Sequence, residues 1–254
     1  MNPGQLIRFA TSAFGKRTEN KFAFVLCPPY CGSTLLTQIL ASSKNVSINN
    51  ANGTCEGQTL PQVRDLMFVE DRWDENLVID WPHVKQIWEQ HWDLRKPILL
   101  EKSPPNLLRG NQIVRHFRPV HFFAMWRNPY AHCESQIRRN GNCPREAAGF
   151  AVRCLNLQRQ NIEQFDNLLP ISYENLASNP AKFVQQATEF LPELGKMNIS
   201  GDFDVHNFLG QKLSIQDLNR EKIEALTSNQ RSEITAIFRD NRETLNYFGY
   251  RTLR

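Results

Sequence analysis

Short apolar runs alternate along the chain with longer amphipathic stretches. The apolar runs, each of a length typical of a buried strand, lie at 22–26, 97–100, 120–126 and 168–173. The amphipathic stretches predict helices at 33–40, 60–69, 83–92, 106–117, 144–165 and 180–191, and a mostly helical tail at 221–247. This alternation is typical of a parallel sheet covered by helices on both faces. We therefore predict an α/β fold, a three-layer sandwich with a mostly parallel central sheet.

The composition is that of one globular domain. No repeat or linker interrupts the 254 residues, which predicts a single domain over 1–254 with a helical insertion at 58–93. A net charge of +4 is too small for a dedicated nucleic-acid binder. Because no run of about 18 apolar residues exists and the amino terminus is too polar for a secretory signal, we expect a cytoplasmic protein without a membrane span. The six cysteines show no zinc-like spacing, so no metal is expected; the oligomeric state is left open.

The segment between the first apolar run and the first predicted helix has the character of an anion-binding turn. Gly32 lets the backbone approach an anion closely, and the hydroxyls of Ser33 and Thr34 stand where the helix begins. The unpaired amides and the positive dipole end of that helix face the same point, which suits a phosphate. An ordinary turn capped by Ser33 is the alternative. The segment lacks the first glycine and the lysine of a Walker A loop, which disfavours an ordinary ATP or GTP site.

A second polar cluster follows the apolar run at 120–126. Arg127 ends that run, Asn128 and Pro129 open a helix, and Ser135 lies on this helix eight residues past the arginine. An arginine at the carboxyl end of a parallel strand points into the crevice where such sheets bind ligands, and its planar fork suits phosphate. We interpret the two segments as halves of one phosphate-binding site.

The two segments resemble those of the sulfotransferase family, whose sulfuryl donor is 3′-phosphoadenosine 5′-phosphosulfate (PAPS). The resemblance covers most of the chain and implies a P-loop NTPase-like sulfotransferase fold. It also implies a loop that holds the 5′-phosphosulfate, an Arg and Ser pair that holds the 3′-phosphate, and 3′-phosphoadenosine 5′-phosphate (PAP) as the product. The residues that it assigns to the donor are Tyr30, Cys31, Gly32, Ser33, Thr34 and Leu35 in the loop, Arg127 and Ser135, Tyr173 in Tyr173-Glu174-Asn175-Leu176, and Lys212 in a closing loop at 206–212.

A third strand end, Glu101-Lys102-Ser103-Pro104, resembles the Golgi glycan sulfotransferases and so implies Glu101 as the general base. Proton removal by a positioned carboxylate contributes roughly 10²–10⁴ in rate. Lys102 places positive charge beside the sulfuryl group, and His132 is the reserve base. An ordinary polar strand end is the alternative for Glu101 and Lys102. A further segment, Cys55-Glu56-Gly57-Gln58, resembles one that follows the second strand in bacterial members of the family.

One departure from the family pattern concerns charge. The usual Lys or Arg of the loop, two residues before the glycine, is Tyr30, and a phenol carries no charge at neutral pH. Either Lys102 supplies the charge, or an arginine from elsewhere does, or the enzyme is weak or inactive. A catalytically silent nucleotide-binding protein is therefore one alternative, and a P-loop-type kinase is another.

The insertion at 58–93 predicts an acceptor pocket. It combines aromatic residues with more acids than bases, and aromatic faces with carboxylates suit a cation. A helical cap with its aromatics in the core and its acids in water is the alternative. The aromatic residues are Phe68, Trp73, Trp81, Trp88 and Trp92, and the acids are Asp65, Glu70, Asp71, Asp74, Glu75, Asp80, Glu89 and Asp93.

These features together predict a PAPS-dependent sulfotransferase that transfers the sulfuryl group by in-line displacement to a hydroxyl or amine of a small molecule. Positioning and electrostatics supply most of the catalysis in such a transfer. A specialised metabolite, such as a guanidinium alkaloid, is the expected acceptor, and a glycan or a peptide tyrosine is the alternative.

Overall fold

The computed structural model describes residues 19–204 and 212–253. Its main strands are β1 (Lys21–Leu26), β2 (Val46–Ile48), β3 (Ile98–Glu101), β4 (Val120–Trp126) and β5 (Leu168–Ser172). All five are parallel and form one sheet in the order β2-β3-β1-β4-β5. A separate antiparallel pair consists of β6 (Phe203–Asp204) and β7 (Lys212–Leu213). The predicted α/β fold with a parallel central sheet is confirmed.

Helices pack against both faces of this sheet. In chain order they are α1 (Ser33–Ala41), α2 (Pro61–Met67), α3 (Trp81–His91), α4 (Gly110–His116), α5 (Pro129–Asn140), α6 (Pro144–Gln164), α7 (Tyr173–Ser178), α8 (Pro180–Phe190), α9 (Asn219–Ala225), α10 (Ser228–Asp240) and α11 (Arg242–Tyr247). The helix predicted at 106–117 begins later, at Gly110, after a 3₁₀ turn at Pro104–Leu108. No helix in the described part of the chain is both long and apolar enough to cross a bilayer.

Two apolar layers hold the sheet, because successive side chains of a strand point to opposite faces. Phe22 and Phe24 of β1 belong to the layer that includes α3 and α4. Ala23 and Val25 belong to the layer that includes α1 and α8. The sandwich therefore has helices, sheet and helices as its three layers.

The segment 58–93 contributes α2 and α3 to the first of these layers. Its Trp81, Trp88 and Trp92 are buried in the core, and their indoles pack against one another and against neighbouring phenylalanines. The burial of these three tryptophans agrees with the alternative prediction, in which the insertion is a helical cap with its aromatic residues in the core. Phe68 and Trp73 are only partly buried.

Strand β1 lies between β3 and β4, so the chain leaves it towards one side of the sheet and later returns on the other. A reversal of this kind opens a crevice beyond the carboxyl ends of the strands. The segments that follow β1, β3, β4 and β5 carry the predicted site residues. The fold therefore brings those segments to one edge of the sheet.

Candidate active site

A cavity of about 580 Å³ opens at this edge. Its wall contains Tyr30 and positions 32–35 of the turn after β1, together with Arg127 and Ser135 of the segment after β4. Lys102, which follows β3, lies in the same wall. The two predicted halves of the phosphate site therefore share one cavity.

The turn after β1 presents backbone donors to this cavity. The first bond of α1 joins the Leu36 amide to the Gly32 carbonyl at 3.2 Å, which leaves the amides of positions 33–35 without an acceptor inside the helix. Gly32 has a φ of 92°, and a Cβ added there would lie 2.6 Å from a ring carbon of Tyr173. A glycine is therefore required for both the backbone and the close approach of that ring. The Ser33 amide bonds to the Cys31 thiol, so the amides of positions 34 and 35 are the ones that suit an anion at the positive end of the helix.

Tyr30 and Cys31 precede Gly32 in different environments. Tyr30 has a φ of 61°, and its hydroxyl donates to Asn140 Oδ1 at 2.7 Å. Cys31 is buried, and it is not among the described residues of the cavity wall. Burial opposes ionisation of the Cys31 thiol, but hydrogen bonds with Cys27 and the Ser33 backbone still lower its pKa. The predicted role of Cys31 towards the donor therefore has no contact to support it beyond the shape of the turn.

Arg127 is buried and held in place on several sides. Its Nε donates to Asn219 Oδ1 at 2.5 Å, and Asn219 in turn donates to Glu174 at 2.6 Å. Its guanidinium carbon lies 4.0 Å from the centroid of the Tyr173 ring. Its Nη1 reaches the Tyr30 carbonyl at 3.4 Å, whereas Nη2 is buried without a partner among the described residues. Because buried donors are rarely left unpaired, this nitrogen calls for an acceptor that the described residues do not supply.

Ser135 lies beside Arg127 in the wall and is joined there by Lys222, which the sequence did not single out. Lys222 Nζ donates to Ser135 Oγ at 2.8 Å and to Glu134 Oε2 at 2.7 Å. Burial lowers the pKa of Lys222. Since Lys222 is 87 positions from Ser135, no local pattern connects the two residues.

Glu101 lies outside the described wall of the cavity. Its carboxylate accepts from the Gly57 amide at 3.2 Å and from Asn106 at 3.3 Å, and it also accepts a hydrogen bond from Ser103. Burial raises the pKa of Glu101 to about 7. Such a pKa suits a general base, but geometry is the first requirement, and none of these three partners belongs to the described wall. Lys102, the residue after the end of β3, does belong to it.

A different carboxylate, Glu56, does lie in the wall. Its Oε1 is 3.1 Å from Lys102 Nζ, and its Oε2 accepts from Gln58 Nε2 at 2.6 Å. Lys102 also donates to the Thr54 carbonyl. The wall therefore contains an ion pair in which the ammonium is buried, the carboxylate is partly buried, and both residues border the cavity.

The two other predicted residues do not reach the cavity in the described structure. His132 is buried behind Gln136, with their nitrogens 3.3 Å apart, and burial together with the charge of Arg127 lowers the pKa of His132 to about 3. Lys212 is exposed on β7 and is absent from the described wall, although Leu213 and Ser214 belong to it. The remainder of the predicted closing loop, 206–211, lies outside the described residues.

One side of the wall comes from the insertion, the turn after β3 and α6. This side is apolar and aromatic with one basic residue, and its members are Phe68, Arg72, Trp73, Pro104, Pro105 and Phe150. Trp73 and Phe150 make an edge-to-face contact at 5.0 Å, and Arg72 lies 4.5 Å from the Phe68 ring centroid. Glu56 is the one acid among the described residues of the cavity wall. The acids of the insertion thus lie elsewhere, and the wall does not support the predicted binding of a cation.

The buried state of Glu101 predicts a pH dependence of stability. An ordinary carboxyl with a pKa of 4.5 loses its proton before the folded Glu101, whose pKa is about 7. Between these two values the folded protein binds the extra proton, so the free energy of unfolding falls as pH rises, by about 3 kcal/mol from this group. Urea unfolding of the wild type and Glu101→Gln from pH 4.5 to 7.5 measures it. The variant is expected to lack this fall, and parallel curves would contradict the buried carboxyl.

The fold and the cavity define an α/β protein with a cavity, bordered by basic side chains and by the start of α1, at the carboxyl ends of its strands. A family model described as "Sulfotransferase family" matches residues 23–193, which is more than half of the chain. The chain therefore belongs to the sulfotransferase family, and it is an enzyme of that class. No curated protein matches it.

Three solved structures share the fold. The sulfotransferase domain from the Synechococcus PCC 7002 olefin synthase is 19% identical, with a TM-score of 0.56 over 89% of this chain and 96% of that one. The sulfotransferase from Alicyclobacillus acidocaldarius is 15% identical, with a TM-score of 0.54 over 91% and 96%. The sulfotransferase domain from the curacin biosynthetic pathway is 18% identical, with a TM-score of 0.52 over 88% and 98%.

Proposed function

We propose that the protein transfers the sulfuryl group of PAPS and that this donor binds in the cavity between the turn after β1 and Arg127. The observation that carries the proposal is the pairing of two anion sites in one cavity. One consists of the amides of positions 34 and 35, which have no backbone acceptor among the described residues, and the other is the buried Nη2 of Arg127, which has no partner among them. A donor with phosphate on both sides of its ribose matches two such sites. Membership of the family supports PAPS as that donor.

The residues present fit the two ends of this donor. Positions 33–35 would hold the 5′-phosphosulfate through amides and hydroxyls, while Arg127 and Ser135, with Lys222 added, would hold the 3′-phosphate. Tyr173 would help to orient the nucleotide, because its ring lies against both Gly32 and the Arg127 guanidinium. When bound, the donor supplies the sulfuryl group that is transferred.

For the proton of the acceptor, the geometry favours Glu56 in place of Glu101. The Glu56 carboxylate borders the cavity and is 3.1 Å from Lys102 Nζ. A carboxylate oxygen of Glu56 would take the proton of the acceptor hydroxyl or amine as that group attacks. Lys102 would place positive charge beside the reacting atoms, as the sequence predicts. Glu101 would then hold the Gly57 backbone, and so position the turn that carries Glu56.

The acceptor is proposed to be an apolar or aromatic small molecule that carries a hydroxyl or an amine. Phe68, Trp73 and Phe150 offer ring surface, and Arg72 offers a positive charge. A neutral or anionic acceptor suits this wall better than a guanidinium, because the carboxylate of Glu56 is already paired with Lys102.

Nucleotide binding tests this proposal first. We expect PAP without magnesium to raise the melting temperature, and ATP with magnesium to have little effect, because the turn lacks the Walker A lysine. Stabilisation by ATP with magnesium alone would instead support a kinase.

Transfer of radiolabelled sulfate from PAPS is then measured on phenols, hydroxy acids and guanidines, with the phenols and hydroxy acids expected as acceptors. PAP binding without transfer to any of these would favour a silent nucleotide-binding protein.

A further inference from the structure

Some basic residues of the cavity wall are paired with carboxylates and others are not. The described wall contains five of them, which are Arg72, Lys102, Arg127, Arg139 and Lys222. Lys102 and Lys222 already form ion pairs with carboxylates, at 3.1 and 2.7 Å. The turn at 28–35 contains no basic residue of its own. An anion bound at the amides of the turn therefore needs a full positive charge from another element.

Arg139, near the end of α5, lies in the same cavity wall and contacts the turn through Tyr30. Its guanidinium carbon is 5.0 Å from the centroid of the Tyr30 ring. Tyr30 is fixed from the same helix, because its hydroxyl donates to Asn140 Oδ1 and Asn140 donates to Gln136 at 2.7 Å. The turn and the carboxyl end of α5 are thus joined through one aromatic ring.

Arg139 forms no ion pair with a carboxylate among the described residues. In the described structure Glu134, on the same helix, pairs with Arg138 and Lys222. Arg139 Nε is buried without a partner among the described residues. A ring face attracts a guanidinium but leaves its charge intact, so the stack holds Arg139 at the turn without neutralising it.

We infer that Arg139, held on the face of Tyr30, supplies the positive charge of the turn and binds the 5′-phosphate end of the donor. The inference rests on the proposed function and adds to it a residue that the sequence pattern does not mark. Negative charge grows on the leaving 5′-phosphate during transfer, so a cation there stabilises the transition state more than the bound donor. The loss of Arg139 should therefore lower kcat more than it weakens donor binding.

Two nucleotides isolate this contact. PAP carries the 5′-phosphate, and adenosine 3′-phosphate lacks it. For Arg139→Gln we expect the Kd for PAP, measured by calorimetry, to rise about tenfold, as for the loss of one charged hydrogen bond. The Kd for adenosine 3′-phosphate, measured by competition, should not change. Arg145→Gln is the matched control, since Arg145 is exposed, lies outside the described wall and removes the same charge.

A second variant restores the charge by another route. Tyr30→Lys added to Arg139→Gln should recover PAP affinity and most of kcat, because the lysine places its ammonium on the turn itself. Tyr30→Leu alone should weaken PAP as Arg139→Gln does, because the stack is lost. Circular dichroism melting checks that each variant is folded.

The outcomes separate this inference from the proposed function. Wild-type affinity for PAP in folded Arg139→Gln, or an equal loss for both nucleotides, would overturn the role of Arg139 alone. If the wild type binds no PAP, the proposed function fails and the inference fails with it.

Discussion

Replacing Glu56 with glutamine is expected to lower kcat by about 10²–10⁴, while the Kd for PAP stays within about twofold. In the wild type, Glu56 Oε1 lies 3.1 Å from Lys102 Nζ. Glutamine keeps the size of the side chain and an oxygen that can accept from Lys102, but it cannot take a proton. The expected loss is therefore confined to the chemical step. Steady-state turnover of labelled PAPS and calorimetry with PAP measure the two quantities separately.

Glu101→Gln is the matched comparison, since it makes the same change one strand end away. Glu101 lies outside the described wall and accepts from Gly57, Ser103 and Asn106. A glutamine there is expected to lower the melting temperature at acid pH and to change kcat by less than about tenfold. If Glu101→Gln abolishes turnover at an unchanged melting temperature and Glu56→Gln does not, the base is Glu101, as the resemblance to the glycan enzymes implies.

Arg127→Gln is expected to weaken PAP binding by about 100-fold. One charge-assisted hydrogen bond to a buried group is worth about 1.5–3 kcal/mol, and the amide of glutamine carries no positive charge to replace it. The buried Nη2, which has no partner among the described residues, is the donor from which the 3′-phosphate would accept a hydrogen bond. Calorimetry with PAP measures the loss, and circular dichroism melting is needed beside it, since Arg127 also holds Asn219 and the Tyr30 carbonyl.

Adenosine 5′-phosphate, which lacks the 3′-phosphate, provides the control for this variant. The wild type should prefer PAP to adenosine 5′-phosphate, and Arg127→Gln should lose most of that preference. Lys222→Gln should lose part of it, because Lys222 reaches Ser135 in the same part of the wall. A folded Arg127→Gln that keeps the full preference would place the 3′-phosphate elsewhere.

Local patterns in the chain were enough to predict four of the five strands of the main sheet, and the short β2 at the edge was not predicted. The apolar run at 120–126 became β4, Val120–Trp126, and the run at 22–26 became most of β1. Arg127 and Gly32 could also be predicted to lie close together, because the carboxyl ends of parallel strands meet at one edge of a sheet, and both line the cavity. Periodicity and turn chemistry depend on neighbours in sequence, which is why they can be recognised without a structure.

Lys222 and Arg139 were not predictable in the same way, and Glu56 was singled out only within a segment that resembles bacterial family members. Lys222 reaches the cavity from α9, and Arg139 lies there against the Tyr30 ring. Their positions depend on contacts between segments far apart in the chain. No periodicity within one segment encodes such contacts.

The acids of the insertion and Glu101 illustrate the same limit, because all of them lie outside the described cavity wall. The sequence shows which residue types are present, but charge counts do not say which face of an element meets a cavity. Residue types and their spacing were thus sufficient to specify most of the elements and the chemistry available at each strand end. The packing of distant elements decided which of those groups border the cavity, because Lys102 lies in its wall whereas Glu101 accepts from the Gly57 amide outside it.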